Sequence, residues 1–291
     1  MRARKCLSVV LVFATVAIAS VASSQPKPAP KGDATAKPAA PKAIDVKPAV
    51  AKIKSGDEGP MREAFDELRI AGPGAAAAAP AIAEALGHGL SSDLTKTAIE
   101  TLGDLESDAG SAVLAQYASH RNVQLRRAAV KSLVRTKGAP AAPAFRHALS
   151  DSDPAVRGMA ASGLGAVKAK DAVPDLFVAL AHRVDESAAS IGTLCNAQQC
   201  EDLVAQLGKH PFDVVTGGLD IVLFRPTAEI SDDVKIKVIG RVRELGTIEA
   251  NKFLRNVQSR WPANGSKRVR QSLDQAVLAT SGGVSSGGGD K

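Results

Sequence analysis

Aromatic residues are scarce in this chain of 291 residues, making up 3% of it, with a single Trp261 and a single Tyr117. An aromatic-lined pocket therefore has little material from which to be built. The apolar content of 45% is ordinary and comes mainly from alanine, leucine and valine. Such a composition favours closely packed helices.

Cysteine is also rare, with three in the chain. Cys6 precedes the apolar N-terminal stretch, so it cannot be the acylated cysteine of a lipoprotein. Cys195 and Cys200 are expected to form one structural disulfide in an oxidising compartment. The alternatives are a redox pair, or a metal site completed by His182 and His210, for which the four-residue gap between the cysteines is a loose fit.

Recognisable catalytic motifs are missing as well. The segment Gly163-Leu164-Gly165 lacks the third glycine and the preceding strand of a dinucleotide loop, and Ser162 has no Gly-x-Ser-x-Gly frame. None of the five histidines stands at a meaningful spacing from a nucleophile. We therefore predict no catalytic residue, no cofactor and no metal, and a protein that is not an enzyme.

Residues 1–24 have the layout of a secretory signal peptide. A cationic start is followed by an apolar core and by the small residues Ser20, Val21 and Ala22 at the offsets that cleavage needs. An uncleaved anchor is the alternative, although the stretch is short for a membrane span. We expect a secreted, periplasmic protein of a Gram-negative envelope, with no membrane span after signal cleavage.

The ends of the expected mature chain differ from its body. Residues 25–56 are rich in Pro, Ala and Lys, which predicts a disordered linker, and 281–291 are a Gly/Ser-rich flexible tail. The formal net charge of +7 includes three basic residues of the signal segment. A modestly acidic body between two basic ends is not the footprint of a nucleic-acid binder, so we expect no nucleic-acid partner.

Leucines recur through the remaining body at an almost constant interval. Leu68, Leu102, Leu133, Leu164 and Leu194 are spaced by 34, 31, 31 and 30 residues, each near the end of an expected first helix. Self-similarity at this period is typical of stacked helical hairpins, in which no unit buries its own apolar face alone.

The unit at 151–180 carries the clearest signals. Asp153-Pro154 is a helix cap followed by proline at the first helical position, and Val156, Ala160 and Leu164 then form an apolar stripe. The pattern Asp-x-Asp-Pro-x-Val-Arg, then Leu-Gly, then a second helix beginning near a proline, resembles HEAT repeats in the short form named after phycobilisome lyases. The resemblance implies an all-α, right-handed α-α superhelix, a HEAT-like solenoid over 57–280, and it implies packing rather than chemistry.

The interval fails between Leu194 and Leu245, so we expect the solenoid to be irregular at 195–245. An additional helix, stopped by Pro226, is predicted there, and Leu245 is expected to restart the repeat. A partner helix is predicted at 249–257, followed by a capping helix at 267–278.

Two basic clusters are candidate partner-binding surfaces. Arg127, Lys131 and Arg135 are spaced i, i+4, i+8 and share one helix face; the alternative is a solvated face neutralised by acids such as Asp104 and Glu106.

The second cluster places Lys252 and Arg255 near Trp261, which is an interface anchor if exposed and a last layer of core if buried. A mixed polar row is also expected on the second helices: Glu84, His88, Gln116, Arg146, His147, Asp175, His182, Glu201 and Gln206.

Together these features predict a non-enzymatic scaffold that mediates protein–protein interactions in the cell envelope. Two alternatives stay open. One is an accessory or lyase-like protein that handles a tetrapyrrole-type group. The other is a binder of anionic envelope polymers through the basic patches.

Overall fold

The computed structural model describes residues 43–136 and 138–281, and this part of the chain is built from helices. The predicted signal peptide, the linker before residue 43 and the tail after Ser281 lie outside the described residues. The α-helices are α1 Lys47–Lys54, α2 Glu58–Ala71, α3 Ala79–His88, α4 Ser92–Asp104, α5 Ser111–Tyr117, α6 Val123–Thr136, α7 Ala141–Ala148, α8 Pro154–Ala166, α9 Val173–Ala181, α10 Glu186–Leu194, α11 Ala197–Val204, α12 Phe212–Phe224, α13 Asp232–Glu244, α14 Ile248–Arg260 and α15 Lys267–Ser281.

The helices alternate between two rows, as expected of a solenoid of helical hairpins. The even-numbered helices α2 to α14 are the first helices of successive hairpins. Each of them from α4 to α12 packs on the next even-numbered helix. The odd-numbered helices α3 to α15 are the second helices. The five repeat leucines are all buried between the rows, where complete burial of a leucine stabilises the fold by about 1.5–3 kcal/mol.

The bounds of α8 follow from local chemistry. Asp153 accepts a hydrogen bond from the Val156 amide at 3.0 Å, and Pro154 occupies the first turn, where its missing N–H costs nothing. At the other end Lys168 adopts φ 58°, and the Ala169 amide donates to the Leu164 carbonyl at 3.1 Å. That left-handed turn ends the helix and directs the chain toward α9.

Small residues bring neighbouring first helices close together. A Cβ added at Gly103 of α4 would lie 2.6 Å from Ser132 Oγ of α6, and one at Gly165 of α8 would lie 2.6 Å from Ser190 Oγ of α10. Between α10 and α12 the backbones themselves meet, because Gly192 faces Gly218. The first helices are therefore closely packed at these positions, with backbone against backbone between Gly192 and Gly218.

The helix predicted to end before Pro226 is present as α12, but its place in the array differs from the prediction. Helix α12 is not an insertion, because it packs on α10 and takes the next place in the first-helix row, with α13 as its second helix. The sixth repeat leucine is Leu223, 29 residues after Leu194 and fully buried. Leu245 instead follows α13 and is 38% exposed, so it does not restart the repeat.

The error has a physical explanation. Leu245-Gly246 repeats the Leu-Gly pair of the second and fourth units, yet Gly246 has φ 62° and ends a helix with nothing close to it. Gly103 and Gly165, by contrast, lie inside helices that need close approach. The same Leu-Gly pair therefore ends a helix at Gly246, whereas at Gly103 and Gly165 its glycine allows two helices to pack closely.

The linker predicted over 25–56 also needs correction at its C-terminal end. Residues Lys47–Lys54 form α1, which packs on α2 and α3 and buries Ala49 and Ile53. These two apolar side chains are four residues apart and share one face, which is enough to dock a short helix on an existing stack. The ordered body therefore begins before residue 57, where the sequence predicted it.

Candidate partner-binding surface

The outward side of the second helices, called here the second-helix face, carries a series of grooves between neighbouring helices. A groove of about 440 Å³ lies between α1 and α3, one of about 420 Å³ between α7 and α9, and one of about 350 Å³ between α11 and α13. Such spaced grooves along a stack of hairpins form an extended surface rather than one enclosed pocket.

An ion pair crosses each of these grooves, from one odd-numbered helix to the next. Nζ of Lys54 lies 4.0 Å from Glu84, Nε of Arg146 lies 3.0 Å from Asp175, and Nζ of Lys237 lies 2.7 Å from Glu201. Exposed pairs of this kind add little stability, typically about 0–1 kcal/mol each. They do give the face a mixed polar character with both signs of charge.

Some residues of the polar row predicted on the second helices line these grooves. Glu84 and His88 line the first groove, Arg146, Asp175 and His182 line the second, and Glu201 lines the third.

An apolar side chain is added by Val178, which lines the second groove and is 60% exposed. The second groove therefore combines charged side chains with an exposed aliphatic one.

The basic stripe on α6 is largely neutralised within the stack. Arg127 binds Asp153 of the following hairpin, with Nε 3.0 Å from Oδ1, and Arg135 binds Asp104 of the preceding one. Lys131 lies between them, exposed and without an ion pair to a described residue. The two arginines therefore link three hairpins. Of the two alternatives that the sequence left open, this arrangement agrees with the face neutralised by neighbouring acids.

The carboxylates of Asp151 and Asp153, which accept hydrogen bonds from arginines of α6, are stabilised in their ionised form. Hydrogen bonds from Arg127 lower the pKa of Asp153 from 3.8 to about 2, despite some desolvation. Burial raises the pKa of Asp151, but the hydrogen bonds from Arg126 and the Asp153 amide outweigh it, so that pKa also lies below 3.8. The two acids of the Asp-x-Asp-Pro motif are thus structural partners of α6.

Trp261 is not an exposed anchor. It is 8% exposed, packs with its ring centroid 5.6 Å from that of Phe224, and donates from Nε1 to the Ser266 carbonyl at 3.3 Å. Lys235 lies over the same ring, 5.9 Å from its centroid, and burial lowers the pKa of this lysine. Trp261 is therefore part of the core near the C-terminal end of the stack.

The two basic residues predicted to accompany Trp261 lie on α14, and both are exposed. Arg255 donates from Nε to Asn251 at 2.9 Å and from Nη2 to Ser281 at 3.1 Å, which ties α14 to the end of α15. Lys252 makes no ion pair with a described residue. Because Trp261 is buried, it does not join these two exposed side chains as an interface anchor.

The structure joins Cys195 and Cys200 by a disulfide, with Cα atoms 5.4 Å apart, between the end of α10 and the first turns of α11. Arg225 covers this turn from the other side, donating to the Cys195 carbonyl at 2.8 Å and to the Gly192 carbonyl at 3.3 Å. A cation at the C-terminal carbonyls of α10 satisfies groups that the helix leaves unpaired.

Within residues 43–136 and 138–281, no group of three or more His, Cys, Asp or Glu side chains is placed to hold a metal ion. The two cysteines of the metal alternative are bonded to each other instead. Over the same residues, no helix combines the length and the apolar character needed to cross a membrane.

The fold and this surface define an all-α solenoid of stacked helical hairpins with an extended face. In agreement, a family model described as HEAT repeats matches residues 111–195, from α5 to the end of α10. No curated protein matches the chain by sequence at a significant level.

Solved structures similar to this chain include natural and designed repeat proteins. The complex of CpcE and CpcF of phycocyanin lyase from Nostoc sp. PCC7120 matches with 20% identity and a TM-score of 0.43, covering 89% of this chain and 99% of that one. A designed armadillo repeat protein matches with 14% identity and a TM-score of 0.42, covering 81% of this chain and all of the other.

Proposed function

We propose that this chain is a non-enzymatic scaffold that binds a protein partner along its second-helix face. The grooves on that face carry the proposal, since three of them lie along it, each is crossed by an ion pair, and the one between α7 and α9 also holds the exposed Val178. Function in a repeat array of this kind lies on such a surface. The partner class we propose is a peptide segment or loop of another protein.

The first-helix face, meaning the side of the first helices that carries Arg127, Lys131 and Arg135, supports this choice indirectly. Arg127 and Arg135 are engaged by acids of neighbouring hairpins, so they offer less free charge to an anionic polymer than the sequence suggested. The groove between α7 and α9, by contrast, holds polar groups around the exposed Val178.

We further propose that the scaffold works in the periplasm of a Gram-negative envelope, a location that rests on the signal peptide predicted at residues 1–24. Mass spectrometry of the protein recovered from cells tests the location. A mature chain beginning near Gln25 is the expected result, and an intact N-terminus in a cytoplasmic fraction contradicts it.

A pull-down from an envelope fraction tests the scaffold itself. Val178→Asp places a charge on the second-helix face, and Lys131→Glu makes a matched surface change on the first-helix face. We expect the first variant to lose the captured partner and the second to retain it. Equal capture by both variants, or loss with both, contradicts the proposed face.

A further inference from the structure

Arg126 and Arg157 occupy the same position in consecutive hairpins, 31 residues apart, and are tethered alike. Nη1 of Arg126 donates to the carbonyls of His120 at 3.0 Å and Arg121 at 3.3 Å. Nη1 of Arg157 donates to the carbonyls six and five residues before it, at 2.8 and 3.2 Å. Each guanidinium is therefore fixed on its own hairpin in the same orientation relative to the preceding turn.

The other edge of the guanidinium differs between the two residues. Nε and Nη2 of Arg126 each donate to a carboxylate oxygen of Asp151 at 2.7 Å, a two-pronged ion pair with the next hairpin. His182 stands where the following hairpin would supply the equivalent acid, 31 residues after Asp151. Consequently the same edge of Arg157 has no carboxylate partner among the described residues.

The unpaired edge belongs to the groove between α7 and α9. Arg157 and His182 both line that groove, together with Arg146 and the exposed Val178. Its acids are already used, because Asp151 binds Arg126 and Asp175 binds Arg146.

One further acid lies near this site. The Glu186 carboxylate packs against Gly158, where an added Cβ would meet it, and no ion pair joins it to Arg157. Arg157 thus lines the groove as a fixed cation whose Nε and Nη2 have no carboxylate partner among the described residues.

We propose that Arg157 binds a carboxylate of the partner, an aspartate or glutamate side chain in an extended acidic peptide segment. The pair formed by Arg126 and Asp151 shows, within the same molecule, what such an edge accepts. A neighbouring apolar side chain of the same segment would lie on Val178. This inference rests on the proposed scaffold function and names the chemistry of its ligand.

The test uses the chain from residue 25 to its end and a fluorescent ten-residue peptide that alternates glutamate and valine. A matched peptide alternating glutamine and valine is the control ligand. Fluorescence anisotropy is expected to show binding of the glutamate peptide only. Arg157→Gln is expected to weaken that binding about tenfold or more, the size typical of a lost charge-assisted pair.

Two further variants separate this site from general electrostatics and from misfolding. Lys131→Gln removes one exposed charge elsewhere and is expected to leave the affinity unchanged. His182→Asp keeps Arg157 and supplies the missing acid, so it is expected to block the peptide while raising the melting temperature.

Three results would overturn the carboxylate site: no binding of the glutamate peptide, equal losses with Arg157→Gln and Lys131→Gln, or full binding by His182→Asp. Failure of the scaffold is a separate outcome. A partner whose capture depends on Val178 but survives Arg157→Gln leaves the scaffold standing and removes the carboxylate site.

Discussion

Single charged residues in this protein mostly serve the contact between hairpins. Arg126, Arg127 and Arg135 each reach an acid 25 to 31 residues away in the chain, which places it one hairpin along the stack. The sequence placed Arg127 and Arg135 on one helix face and named Asp104 as a neutralising acid. However, it did not identify Asp151 and Asp153 as partners of α6. Those partners depend on how the hairpins are stacked, which no local pattern encodes.

The charge of Asp153 is expected to contribute to the stability of the fold. Asp153→Asn keeps an oxygen that caps α8 but removes the charge that pairs with Arg127, so stability at neutral pH is expected to fall. Because the folded-state pKa of about 2 lies below 3.8, the contribution of Asp153 is present above about pH 4 and is lost as the pH falls toward 2.

Urea unfolding at a series of pH values from 7 to 2 measures this effect. The variant is expected to lose less stability than the parent over the acid part of that range. Asp66→Asn, on the exposed face of α2, is the control. Parallel curves for the parent and Asp153→Asn would show that the ion pair contributes nothing.

Whole helices are held by close packing of small residues in the first-helix row and by one covalent link. The sequence predicted the helices that carry the five repeat leucines, and also a helix ending before Pro226. The sequence prediction placed α12 outside the regular array because it assigned the start of the next repeat to the Leu-Gly pair at 245–246. At Gly246 that pair ends a helix, whereas at Gly165 it packs one helix on another.

Gly218 and Gly217 are neighbours on α12 and form a matched pair for testing this packing. A Cβ at Gly218 would overlap the Ala188 carbonyl of α10, whereas nothing lies within 4 Å of one at Gly217. Gly218→Ala is expected to destabilise the protein by about 1–3 kcal/mol. Gly217→Ala is expected to stabilise it by about 0.5–1 kcal/mol, since alanine favours a helix. Chemical denaturation of both variants checks the opposite signs, and equal effects would contradict the placement of α12.

The disulfide between Cys195 and Cys200 is expected to stabilise the connection between α10 and α11. Replacing both Cys195 and Cys200 by alanine is expected to lower the unfolding free energy by about 2 kcal/mol, because the bridge closes a short loop. Mass spectrometry of the purified protein without reductant checks the premise. Two free thiols would refute the bridge.

The molecule as a whole is a stack whose first helices approach closely at small residues and whose second-helix face carries grooves between neighbouring helices. The all-α class could be predicted from the period of the leucines, since only stacking buries such a pattern. The grooves could not, because they depend on which side chains flank each helix pair. Nor could the site of Arg157, because an unpaired guanidinium edge appears only when its neighbours are in place.

A photo-crosslinking amino acid at position 178 tests whether a partner protein occupies the second-helix face. It is introduced in place of Val178 in the full chain, which is expressed in cells and irradiated. Lys131, exposed on the first-helix row, is the matched position. We expect a discrete protein adduct from position 178 and none from position 131. Adducts from position 131 alone, or no adduct from position 178, would show that the partner does not bind the second-helix face.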